Sequence, residues 1–362
     1  MRVLLLLRGS AGCGKSTWIE QNGLKPYTLS ADDIRLLCQS PVLQVDGTRG
    51  ISQSNDGTVW KTLFSLLEIR MQKGEFTVID ATNSKTSEMN RYKNMCETYR
   101  YRMYCVDFTD IPIDEVKRRN AGREEFKRVP DDVIDKMYSR FATQKIPSGI
   151  TVIKPDELDS IWMKMRDFSK YKRIHHIGDI HGCYTALMKY LDDNGGIKDD
   201  EFYIFTGDYI DRGVENADVV NYLISIRGRK NVLMLEGNHE RWLWLWANDC
   251  TGRSKEFELV TKPVLDASGI DKKEVRKLYR RFGQCAYYSY GDNVYLVTHA
   301  GLSVVPDNLT FVATDQMIHG VGAYNDFEEI AETFYGKMPA NYYQIHGHRN
   351  TKLLPIRVND RV

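Results

Sequence analysis

The stretch Gly9-Ser10-Ala11-Gly12-Cys13-Gly14-Lys15-Ser16, followed by Thr17, decides how the first half of the chain is read. It fits G-x-x-x-x-G-K-[ST], with an apolar run from Val3 to Leu7 before it and a helix-patterned stretch from Lys15 to Glu20 after it. Strand, glycine-rich turn and helix in that order let successive backbone N–H groups point inward at phosphate oxygens. On this reading residues 9–17 hold ATP or another nucleoside triphosphate, Lys15 reaches the β and γ phosphates, and Ser16 holds Mg²⁺. Outward from there, apolar runs at Phe76 to Ile79 and Met103 to Phe108 alternate with helical patterns such as Trp60 to Met71. An α/β domain with a parallel sheet and flanking helices is expected. The helix from Pro130 to Phe141 reads as its last element, and residues 151–172, with Pro155 among them, as a connector between domains over 1–150 and 173–362.

Length and composition agree with two domains. At roughly 100 to 200 residues per domain, 362 residues exceed one compact core. Hydrophobic residues at 42% and charged residues at 27% exclude a disordered or collagen-like chain. The apolar runs, Val3 to Leu7 among them, are all far short of the ~18 residues of a membrane span, and no signal peptide is read. Seven cysteines without a C-x-x-C pair point to a reducing, cytoplasmic setting. A net charge of +1 means that a polyanionic partner must be held by local patches.

A phosphate cradle names a donor and leaves the acceptor open. Ser30-Ala31-Asp32-Asp33-Ile34-Arg35 places an aspartate three residues before an arginine at a helix start, offering a base for a hydroxyl and a cation for a neighbouring phosphate. Read alone, it is more often an acidic helix N-terminus with a solvated arginine. In Lys117-Arg118-Arg119-Asn120-Ala121-Gly122-Arg123, the arginines at 119 and 123 stand four apart and are expected on one helix face, suiting the charge of a transferring phosphoryl group. Asp80, at a strand end, is either a metal carboxylate or polar packing. With Asp80-Ala81-Thr82-Asn83 and Val129-Pro130, these segments resemble the 5′-hydroxyl polynucleotide kinase family over about residues 1–150. The resemblance implies that Asp32 is the general base on the 5′-OH, that Arg35 contacts the acceptor, and that Arg119 and Arg123 are lid arginines.

The second half repeats one theme: short apolar runs, Ile174 to Ile177, Phe202 to Phe205, Val232 to Leu235, Val294 to Thr298 and Gln344 to His346, most of which end in polar and small residues. The clusters are Gly178-Asp179-Ile180-His181-Gly182, Gly207-Asp208-Tyr209-Ile210-Asp211-Arg212-Gly213, Gly237-Asn238-His239-Glu240, Thr298-His299-Ala300-Gly301 and Gly347-His348. Asp, His and Asn are donors suited to Mn²⁺, Zn²⁺ or Fe, and two such cations sharing a carboxylate can drive phosphoryl displacement. The set resembles the calcineurin-like metallophosphoesterase superfamily from about Arg173 onward, which implies an α/β sandwich with two divalent metals, Mn²⁺ favoured. By that resemblance Asp179, His181 and the bridging Asp208 bind one metal, and Asp208, Asn238, His299 and His348 the other. Arg212 then holds the phosphate, and His239, oriented by Asp211, protonates the leaving group. Some members continue G-H-x-H, whereas Arg349 and Asn350 follow His348, leaving the first metal short of a fourth protein ligand. His175, His176, His319 and His346 match no motif and read as structural or solvent-facing. Between His239 and His299 lies a helical insert whose Lys272, Lys273, Arg276, Lys277, Arg280 and Arg281 form a basic stripe, a solvated face or a track for a nucleic-acid backbone.

The order of the two halves resembles the bacterial and phage polynucleotide kinase-phosphatases of RNA repair. That resemblance implies an enzyme that phosphorylates 5′-OH ends and removes 2′,3′-cyclic, 2′- or 3′-phosphates from RNA, with DNA ends left open and no membrane partner. Rival readings are a kinase acting on a small metabolite, a second half that cleaves dinucleoside polyphosphates or phosphoproteins, and a non-catalytic sensor of nucleic-acid ends. Pro355 to Val362 stop where the phosphatase family continues, so a truncated chain is expected. A ligase domain or partner and a homodimer are left open.

Overall fold

The computed structural model describes residues 2–250, 252, 254–349 and 354–362. Two compact units divide the chain, Met1–Trp162 with Thr310–Ala313 and Met163–Leu309 with Thr314–Val362. Among the described residues no helix is long and apolar enough to cross a membrane.

The first unit has strands β1 (Val3–Arg8), β2 (Thr28–Ser30), the hairpin pair β3 (Val42–Leu43) and β4 (Arg49–Gly50), then β5 (Thr77–Asp80), β6 (Arg102–Asp107) and β7 (Thr151–Ile153). Five of them form one sheet in the order β2-β5-β1-β6-β7, every neighbour parallel. Parallel pairing needs crossovers, supplied by α1 (Lys15–Gln21), α2 (Ala31–Cys38), α3 (Asp56–Lys73), α4 (Thr86–Tyr99), α5 (Ile113–Ala121) and α6 (Asp131–Thr143). The central β1 is buried throughout: Leu4 and Leu6 pack into one apolar cluster, Val3, Leu5 and Leu7 into the opposite one. That alternation is why the run is continuously apolar, since both faces are covered.

Two expectations fail here. The helix after Pro130 is not the last element, because Thr151-Val152-Ile153 follows as an edge strand paired to β6. The connector over 151–172 is instead folded structure. The Trp18 indole donates to the Pro155 carbonyl at 2.9 Å, and Leu158 and Ile161 are buried in the β1 cluster. Beyond the division, β8 (Arg166–Asp167) pairs with a strand of the second unit, where Phe168 is buried.

In the second unit β9 (Ile174–Ile177), β10 (Phe202–Phe205) and β11 (Val232–Met234) form a parallel sheet in the order β11-β10-β9. A second sheet runs β14-β13-β12-β8, with β12 (Cys285–Tyr290), β13 (Asn293–Thr298) and β14 (Tyr342–His346). The strand β12, absent from the expected series, forms the antiparallel hairpin with β13. Along β10, Phe202 and Ile204 pack between the sheets with Tyr288 and Val297, while Tyr203 and Phe205 pack under the helices. Those helices are α7 (Tyr184–Asp193), α8 (Asn216–Ile226), α9 (Glu240–Ala247), α10 (Lys262–Ala267) and α11 (Lys272–Tyr279). The fold is thus a P-loop α/β unit followed by an α/β phosphoesterase-like unit.

Candidate active sites

In the first unit the loop between β1 and α1 curls because Gly12 and Gly14 take φ of 83° and 100°, and a Cβ on Gly12 would stand 2.7 Å from the Val116 carbonyl oxygen. Lys15 folds over the loop and donates to the Gly9 and Ser10 carbonyls, each at 2.8 Å. A cleft of about 920 Å³ opens there, lined by residues 11–17 together with Asp32, Arg35, Asp80, Arg119 and Arg123. Gly9 and Ser10 complete the loop beneath it.

Ser30 caps α2 by accepting from the Asp33 N–H at 3.4 Å, which fixes Asp32 in the first turn at the cleft. Asp32 accepts from Arg35 at 2.8 Å, and Arg35 also donates to Asp56 at 2.8 Å, so the expected acceptor-binding cation is clamped between two carboxylates. Asp56, the second of these partners, lies 21 positions away in sequence with no motif to mark it. Asp80 lines the cleft near Lys15: burial pushes its carboxyl above the ordinary value, and the charge of Lys15 offsets part of that.

Arg119 and Arg123 reach the same cleft, but not from one helix face. The helix α5 ends at Ala121 with Gly122 at its cap, so Arg123 lies beyond it. Glycine following an asparagine and an alanine ends the helix before the second arginine is reached. Arg119 is held by Glu115 at 2.6 Å. The buried Asn120 donates to the Val129 carbonyl at 2.7 Å and accepts its N–H at 3.1 Å, closing the loop that carries Arg123.

In the second unit every expected metal donor follows the C-terminal end of a strand: Asp179 and His181 after β9, Asp208 after β10, Asn238 after β11, His299 after β13 and His348 after β14. Asp208, His181 and His348 adopt φ of 51°, 46° and 63°, turns that bring the side chains inward. His299 Nε2 stands 3.2 Å from Asp208 Oδ2 and His181 Nε2 3.7 Å from it. The end of the Asn238 amide lies 3.0 Å from His348 Nδ1, 3.1 Å from His299 Nε2 and 3.2 Å from Asp208 Oδ2. His299 Nδ1 is bound to the Thr206 carbonyl at 2.9 Å and His181 Nδ1 to the Ile210 carbonyl at 2.9 Å, so each ring turns Nε2 into the site.

These residues fit divalent cations. Asp179 Oδ1 and His181 Nε2 are buried with no hydrogen-bond partner, and a cluster of acceptors facing one another is satisfied by a positive charge at its centre. Burial alone would raise the Asp208 carboxyl, but His299 beside it holds it well below the usual carboxylate range. Burial likewise would lower His299, yet Asp208 pushes it up to about 9. Burial and the charge of His299 bring His348 down to about 4, the neutral form that ligation needs. The ligand atoms of Asp208, His299 and His348 lie within 4.8 Å of one another, and so do those of His181, Asp208 and His239. Asp179 is tied in by accepting from the His348 N–H at 2.9 Å. Asn350 falls outside the described residues.

His239 Nδ1 is bound to Asp211 Oδ2 at 2.6 Å, and its Nε2 stands 4.0 Å from Asp208 Oδ2. Burial works against its charge, but Asp211 and Asp208 outweigh that and hold its pKa above the ordinary histidine value. Arg212, at φ 64°, is exposed beside Asp211. Glu240 has a part that the motif did not disclose. Fully buried, it accepts from the backbone N–H groups of Asp208 and Tyr209, each at 2.9 Å, and of Gly237 at 2.7 Å, joining two ligand loops. Burial and the Asp208 charge push its carboxyl up to about 8.

Of the remaining histidines, His175 bonds Tyr190 and Glu201 and His176 bonds Tyr288 in the interior, while the exposed His319 bonds Asp315. His346 packs against Gly301. The basic stripe is broken, because Lys272 pairs with Asp249, Lys277 with Glu274, and Arg276 donates to the Ala247 carbonyl. Arg280 and Arg281 lie past the end of α11.

A P-loop cradle in the first unit and a two-metal donor set on strand ends in the second define a P-loop protein fused to a metallophosphoesterase. Residues 172–355 match the calcineurin-like phosphoesterase family, and the chain belongs to it. Residues 4–143 match the AAA domain family. The chain is similar to a serine/threonine-protein phosphatase of Caenorhabditis elegans, 31% identical over 139 residues, 35% of this chain and 30% of that protein. It is also similar to a symmetrical bis(5′-nucleosyl)-tetraphosphatase of Cronobacter sakazakii, 30% identical over 166 residues, 46% of this chain and 56% of that protein. The chain thus spans less than two thirds of the length of these relatives. Among solved structures, a serine/threonine phosphatase of Saccharomyces cerevisiae matches with a TM-score of 0.34 at 17% identity, covering 50% of this chain and 61% of that one. Membership of the phosphoesterase family implies divalent metals.

Proposed function

We propose that the protein heals nucleic-acid ends: the first unit transfers the γ-phosphate of ATP to a 5′-OH, and the second removes a 2′,3′-cyclic, 2′- or 3′-phosphate, with RNA as the substrate. The reading is carried by one arrangement, in which the carboxylate of Asp32 and the guanidiniums of Arg35, Arg119 and Arg123 line the same cleft as the phosphate cradle. Asp32 takes the proton of the attacking hydroxyl, Lys15, Arg119 and Arg123 hold the phosphoryl oxygens, and Ser16 with Asp80 orients Mg²⁺. Arg35, held between Asp32 and Asp56, presents the acceptor strand's phosphate to that base.

In the second unit Asp179, His181, Asp208, Asn238, His299 and His348 hold two divalent cations, Mn²⁺ favoured. Bound there, they supply activation of water and charge neutralisation for in-line displacement. Arg212 holds the phosphate at the mouth, and His239, kept protonated by Asp211, gives a proton to the leaving oxygen. The protein works in the cytoplasm, with a ligase as the partner that uses its products.

The similarity to a symmetrical tetraphosphatase favours a second reading, in which the phosphoesterase unit cleaves dinucleoside polyphosphates. A panel separates the two: RNA 2′,3′-cyclic phosphate and a nucleoside 3′-phosphate against diadenosine tetraphosphate and a phosphopeptide. End healing requires turnover of the RNA end and the 3′-phosphate ahead of the other two. Faster turnover of the tetraphosphate replaces it with the second reading.

A further inference from the structure

Asp211 is fully buried and both of its carboxyl oxygens are used. One binds His239 Nδ1 at 2.6 Å. The other accepts the hydroxyl of Thr261, 50 positions along the chain and itself fully buried. Thr261 closes a five-residue π-helix, Phe257–Thr261, in which the Phe257 carbonyl is bonded by the N–H of Lys262, five residues on. Each extra residue in such a turn rotates the rest of the helix by about 100° relative to an α-helix. Phe257 and, in the next helix, Leu265 are anchored in the core under the helices, whereas Leu259 and Val260 face solvent. The π turn is what brings the threonine hydroxyl round to the carboxylate. In a regular helix that hydroxyl can instead turn back to the carbonyl four residues earlier.

We propose that Thr261 is a positioning residue for the leaving-group proton: by pinning Asp211 it fixes the ring plane and tautomer of His239, so the helical insert is part of the catalytic apparatus. The inference rests on the reading of His239 as proton donor. Asp211 has its backbone held as well, its N–H bonded to Asn216 Oδ1 at 2.8 Å, so the hydroxyl governs the carboxylate rather than the loop. A ribose oxygen leaves badly without a proton and nitrophenolate leaves well without one, so a misaligned donor hurts the two substrates unequally.

The test is Thr261→Val, which keeps the branched shape and removes the hydroxyl, measured with metal content on a nucleoside 3′-phosphate and on nitrophenyl phosphate. The expected result is full metal content, a kcat about 10-fold lower on the nucleoside substrate with KM within about two-fold, less than about two-fold change on nitrophenyl phosphate, and recovery in Thr261→Ser. If the valine variant is insoluble, Thr261→Cys, of similar size and with a weak donor, is read by the same criteria. Equal losses on both substrates, or no loss on either, overturn the proposal. His239→Ala is run alongside. If it is selective while Thr261→Val is not, only the role of Thr261 falls. If His239→Ala itself lowers both substrates equally, the reading of His239 falls and takes this inference with it.

Discussion

At the phosphate cradle several charged side chains stay open to solvent and pair with one another: Asp32 is 57% exposed beside a more covered Arg35, and Arg119 44% exposed beside Glu115, while Lys15 is buried over the loop. In the phosphoesterase unit Asp208, Asp211, His239 and His299 are at most 9% exposed, and their neighbours are fixed by backbone and carboxylate bonds. The first site is a backbone cradle with arms that must exchange partners when a nucleotide arrives. The second is a preformed set of donors whose repulsion a cation relieves. Substitutions should therefore act on the first mainly through rate, and on the second through rate, metal retention and folding together.

The largest expected effect is at the bridging carboxylate. Asp208→Asn should lose both metals from the purified protein and lower phosphoesterase turnover on the order of 10³-fold or more, since several kcal/mol of transition-state stabilisation depend on the cations. Transfer to a 5′-OH should survive unchanged. Asp32→Asn should do the converse, lowering 5′ phosphorylation roughly 10²-fold or more while the metals and the phosphoesterase rate stay as they were. A protein that stays folded and loses both reactions through either change would abolish the division between the two sites.

Much of this contrast is legible in the amino-acid sequence. The cradle is contiguous, so eight residues and their strand-helix setting carry its phosphate-binding chemistry, and the metal donors recur within two residues of a glycine at five strand ends. The features that stay hidden depend on partners distant in sequence or on backbone. Asp56 meets Arg35 across 21 positions, Glu240 binds three backbone N–H groups that leave no mark on composition, and Thr261 depends on a π turn for which no residue pattern exists. The strand β7 escapes notice because a three-residue β-branched run near Pro155 is too short to outweigh the turn signal, and the shared face of Arg119 and Arg123 is lost to a helix that stops at Ala121.

Glu240 sharpens the comparison on the side of folding. Glu240→Ala leaves three buried N–H groups unpaired and should cost about 3 kcal/mol or more of stability in the phosphoesterase unit, read by chemical denaturation, with metal affinity falling too. No comparable loss is expected from a substitution at the cradle's exposed arms. The smallest effect belongs to Asp56→Asn, which loosens one side of the Arg35 clamp. Its expected outcome is a few-fold rise in KM for the acceptor strand, with kcat for 5′ phosphorylation close to unchanged. A large fall in kcat would instead place Asp56 among the residues that touch the reacting atoms.

Addition of phosphate at one end and its removal from the other, by one chain, is tested most directly on a single RNA. An oligonucleotide with a 5′-OH and a 2′,3′-cyclic phosphate is incubated with ATP, Mg²⁺ and Mn²⁺, and the mass of each terminus is followed. The expected product carries a 5′-phosphate and a free 2′,3′-diol on the same molecule, with Lys15→Ala stopping only the first change and Asp208→Asn only the second. Recovery of the RNA with both ends unaltered, by a protein that hydrolyses diadenosine tetraphosphate or a phosphopeptide under the same conditions, would contradict end healing.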